Sequence, residues 1–114
     1  MLKTEPYEQP YFCLPQNRIE FEELSEPKIM IATFAFHRYG NLSSEKPRTC
    51  YIYGEQDKYF VGCWIGYYPN FHDILFPKTH TQEISSEKQR EYVRENPITW
   101  EDLQRRHIEY FKIR

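Results

Sequence analysis

Small aliphatic residues are almost missing from this chain. Alanine occurs only as Ala32 and Ala35, and valine only as Val61 and Val93. Large rings with so few small partners suit a sheet better than a helical bundle. Cysteine is scarce and odd in number. Cys13, Cys50 and Cys63 have none of the close spacing of a disulfide-stapled secreted domain. Four scattered glycines (Gly40, Gly54, Gly62, Gly66) give no phosphate-cradling loop, and no G-x-S-x-G elbow exposes a serine. His37, His72, His80 and His107 make no close pair with one another or with a cysteine, the usual sign of a zinc site. No metal or other cofactor is therefore expected. The net charge of −2 implies neither a polyanion binder nor a strong DNA mimic. The longest apolar-leaning run, residues 29–36, is far too short to cross a bilayer, and the opening residues carry no apolar signal-peptide core. These two absences lead us to expect a cytoplasmic protein with no membrane contact.

What is present is aromatic. Ten Tyr, eight Phe and two Trp stand beside only 26 Leu, Ile, Val and Phe taken together in 114 residues. That length suits one domain, which buries roughly two-thirds of its unfolded surface. The expected class is α+β: a mainly antiparallel sheet of four to five strands, then two C-terminal helices packed on it. Within the single domain 1–114, residues 1–27 are a Pro- and Glu-rich leading segment, 28–77 the sheet and 85–112 the helices. The leading segment holds six acids against two bases, while residues 28–80 hold four against six. Internal charge complementarity is the expected reason for this asymmetry, with an acidic docking arm as the alternative.

In the leading segment, residues 11–14 form an apolar island fenced by Pro10 and Pro15, which suits a short edge strand. Ile19, Phe21 and Leu24 anchor a turn or helical piece before Pro27. Residues 28–37 are the clearest strand. Both of its faces are apolar, so it is expected to be central. A polar loop then runs from 40 to 47. Residues 48–53 and 59–67 read as a hairpin with Gly54 opposite Tyr59, Tyr53 opposite Phe60 and Cys50 opposite Cys63. Gly62 in its second strand suggests a bulge or a close backbone approach. Residues 71–76 form another short strand stopped by Pro77. From Ser85 the pattern turns helical. Ser86 with Gln89 fits a capping box, Ile84 a hydrophobic staple, and Pro97 closes the helix. Thr99 with Asp102 opens a second helix, where Trp100, Leu103, His107, Tyr110 and Phe111 share one face.

Two segments at strand ends carry the candidate binding residues. One is residues 37–41, with Arg38 and Tyr39. The other is residues 67–73, with Tyr67, Tyr68 and His72. Each sets an imidazole, rings and hydrogen-bonding groups where loops commonly bind. Consecutive tyrosines beside Pro69 cannot both face a core if strand alternation persists, so one ring is expected at the surface. Tyr and Arg dominate binding hot spots, and this favours a small non-enzymatic protein that contacts another protein. The alternatives are a small enzyme with a His, Tyr and Asp site at the sheet end, and a single-stranded nucleic-acid binder. The second lacks its basic groove: residues 48–76 hold only Arg48 and Lys58 against Glu55, Asp57 and Asp73. A homodimer is compatible with the composition. No residue is singled out as catalytic.

Overall fold

The structure is a computed structural model, and it describes residues 2–3, 19–37, 40–66 and 73–113. The chain divides into two compact units, Met1–Glu83 and Ile84–Arg114. The first is an antiparallel sheet of five strands: β1 (Glu22–His37), β2 (Gly40–Glu55), β3 (Tyr59–Trp64), β4 (Ile74–Pro77) and β5 (Thr81–Glu83). The second holds two helices, α1 (Ser86–Glu95) and α2 (Pro97–Ile113). An α+β chain with sheet first and helices last is what the sequence leads one to expect.

Strand order is β2-β3-β4-β1-β5, and β1 pairs with β2 as well, so the first four strands close into a ring. β1 is its hub. It bonds β2 along one edge, and along the other it meets β5 at residues 30–32 and β4 at Phe36. The expected central strand is therefore present. Ile29, Met30, Ala32, Thr33, Phe34, Ala35 and Phe36 are all buried, and only Ile31 among them is half-buried. Trp64, Tyr51, Tyr53, Phe36 and Phe76 are the largest fully buried side chains, with Trp64 edge-on to Phe76 at 5.0 Å between ring centres. Rings thus supply the bulk that small aliphatics cannot.

Three local expectations are corrected. Residues 40–47 are not a loop, and residues 22–27 are neither turn nor helix. Both belong to a long β1–β2 hairpin that runs from the pair His37 and Gly40 out to Glu22 and Glu55. Pro27 and Pro47 interrupt it. Between Glu23 and Lys28 the register shifts so that residues 24–27 lie opposite Tyr53 alone, and Pro27 falls in that excursion. Between Ala32 and Phe34 a second shift sets residues 44–47 opposite Thr33, and Pro47 falls in that one. Proline cannot donate to a ladder, so the chain steps out at each and then resumes.

The third correction is the hairpin register. Cys50 pairs with Trp64, and Tyr51 with Cys63, one position away from the expected alignment. Gly54 meets Val61, not Tyr59. The turn is only Gln56-Asp57-Lys58, with the Gln56 amide donating to the Tyr59 carbonyl at 2.8 Å, and Tyr53 is skipped as a bulge between Ile52 and Gly54. One such residue exchanges the two faces of a strand. Gly62, opposite Ile52, is required here, because a Cβ would run into the Tyr51 carbonyl oxygen. Pro77 ends β4 as expected, but a 3-10 turn at Lys78–His80 carries the chain into β5, which was not anticipated. The Lys3 amide donates to the Thr79 carbonyl at 3.2 Å, and its carbonyl accepts from the buried Thr33 hydroxyl. The expected edge strand at 11–14 lies outside the described residues.

In the helical unit α1 spans the residues anticipated. Its cap is Ser85, whose hydroxyl accepts from the Lys88 amide at 3.1 Å, one position before the expected Ser86 and Gln89 box. Asn96 serves both helices. Its backbone and side-chain N–H groups bond the Tyr92 carbonyl, while its own carbonyl accepts from the Trp100 amide. Pro97 then opens α2 at the position where a missing N–H costs nothing, two residues ahead of Thr99. Leu103 is the buried residue of α2, and Trp100, on the face expected to be shared with it, is half-buried. Among the described residues no helix is long and apolar enough to cross a membrane.

Candidate functional site

Arg38, Tyr39, Tyr67, Tyr68 and His72 all lie outside the described residues. Their described flanks are informative. The chain leaves β1 at His37 and returns at Gly40; it leaves again at Gly66 and returns at Asp73. Phe36 pairs with Leu75 across the antiparallel β1–β4 contact. The last described residue before Arg38 and the first after His72 therefore belong to the same end of the ring. Gly66 has φ 78, a left-handed conformation that suits glycine where a strand gives way to a turn.

The chemistry at this end can be built from the strands outward. Tyr53, fully buried at the β2 bulge, donates its hydroxyl to Asp73 Oδ1 at 2.6 Å. A hydrogen bond to a carboxylate is among the stronger kinds, and this one fixes the residue immediately before β4. His37 is half-buried, and loss of solvent lowers its imidazole below the ordinary 6.5, so the ring is neutral at neutral pH. Trp64 Nε1, two residues before Gly66, is buried with no acceptor among the described residues. Deeper in the sheet, Cys50 donates to the Met30 carbonyl at 3.4 Å. Burial, and then the neighbouring Cys63, push its thiol well above the usual value. The same two causes raise the Tyr51 phenol. Both groups stay protonated at neutral pH, and a protonated buried thiol is a poor nucleophile. No group of three His, Cys, Asp or Glu side chains among the described residues could hold a metal ion.

A concave feature lies elsewhere, near the β2–β3 turn. It is an open cleft of about 510 Å³ lined by Glu20, Phe21, Glu22, Glu55, Gln56, Asp57 and Lys78. Lys78 Nζ sits 2.6 Å from Glu55 Oε2 and 5.2 Å from the centre of the Phe60 ring, so the cleft's one lysine is already engaged. Gln56 Nε2 donates to the Glu20 carbonyl at 2.6 Å, and the Phe21 ring rests against Tyr53. The remaining carboxylates give the cleft negative charge, which attracts cations without selecting one. Sequence reasoning missed it because its residues come from three distant stretches. The available signal was the acidic leading segment, and the Glu22–Glu55 pairing of the long hairpin carries part of it to the turn.

No protein-family model, no curated protein and no solved structure matches the chain.

Proposed function

We propose that this chain is a small non-enzymatic binding protein, an accessory, inhibitor or adaptor, whose contact with another protein is made by Arg38, Tyr39, Tyr67, Tyr68 and His72. The observation that carries the proposal is the Phe36–Leu75 pairing, which brings the flanks of both aromatic segments to one end of the ring. Two segments whose flanks share an end can act as one surface, and Tyr and Arg are the side chains that most often dominate such surfaces. The Tyr53 hydroxyl on Asp73 supports this reading over the catalytic alternative, because it gives the carboxylate at this end a structural task. A cytoplasmic location belongs to the same proposal, since the buried thiols of Cys50 and Cys63 suit a reducing compartment.

The test is affinity capture from the native cell with the wild-type chain and with Tyr68→Ala in parallel. At least one protein should be retained by the wild type and weakened by about 1–2 kcal/mol or more with the variant. The two chains should melt at nearly the same temperature. Equal capture by both, or a variant that unfolds, would overturn the proposal.

A further inference from the structure

We draw no further inference here: the strongest candidate, the open acidic cleft beside the β2–β3 turn formed by Glu20, Glu22, Glu55 and Asp57 around Lys78, is a carboxylate cluster whose lysine is already held by Glu55, and no second feature of the described residues points to a ligand for it.

Discussion

Ile29, Ala32, Ala35, Ile52 and Phe76 of the ring are withdrawn from solvent, while in the helical pair α1 buries no residue and α2 buries only Leu103. Ile98 and Ile113 of α2 are 82% and 85% exposed. The order of the ring is thus tertiary: neighbouring strands supply both the hydrogen bonds and the apolar cover. The order of the helices is local to a larger degree. It rests on the Ser85 cap, the shared Asn96 and ion pairs along α2, where Arg105 and Arg106 both reach Asp102. Such caps and exposed pairs contribute roughly 1 kcal/mol or less apiece, whereas fully burying one large side chain contributes about 1.5–3 kcal/mol. The two units should therefore respond differently to the same kind of injury.

The sharpest way to break that contrast is to make one substitution in both units. Trp64→Ala should cost about 4 kcal/mol, because it empties a fully buried site against Phe76. Trp100→Ala, at a half-buried position, should cost about 1–2 kcal/mol. Denaturant titration of both variants decides it, and equal losses would mean that the helices depend on burial as much as the ring does. Next in size is Gly62→Ala. The added methyl meets backbone and not a movable side chain, so about 3 kcal/mol should be lost in the same titration. A neutral result would show that β2 and β3 can separate at their bulge.

Ser85→Ala should cost about 1 kcal/mol, confined to the helical unit. Amide hydrogen exchange should quicken through α1 and stay unchanged in β1; faster exchange in both would contradict a local origin. The smallest effect concerns pH. Because burial lowers the His37 pKa in the folded state, the unfolded chain binds the proton more readily. Stability from this group is fully present above about 6.5 and is lost as the pH falls below it. The melting temperature should drop slightly between about pH 7.5 and 5.5. The drop should be shallower in His37→Gln, and an identical slope would remove His37 from the account.

Legibility in the sequence followed the same division. A serine cap and a proline just past the helix end are local signals, so 86–95 could be read off directly, whereas the role of Pro97 as the first residue of α2 was not read. The two-sided apolar strand 28–37 was legible because its environment is written in every residue. The outer halves of β1 and β2 were not. Their strand character comes from pairing with each other, and Glu22, Glu23, Glu45 and Lys46 carry no apolar alternation that would reveal it. The cysteine alignment failed at the turn, which closes on Glu55 and Phe60, two positions from the expected register, and the bulge at Tyr53 restores only one of them. β5, only Thr81–Glu83, is too short and too polar to show a period. The proposed contact residues were chosen by type alone, and the shared end of the ring between their flanks came from the Phe36–Leu75 pairing, a contact between distant positions that no local pattern encodes.

The role of β1 as hub also dictates an order of assembly. Its edge toward β2 can zip from the pair His37 and Gly40 outward, two strands adjacent in sequence needing only a short loop to close. Its opposite edge waits for β4, β5 and the Lys3 contacts with Thr33 and Thr79, all of which require the whole first unit to be present. Non-local closure of this kind is slow, because the chain loses its freedom before the contacts reward it. Until it happens, the most apolar strand of the molecule has one row of backbone groups unclaimed. The hub that makes the finished ring cohesive is, during folding, the edge that stays uncovered longest.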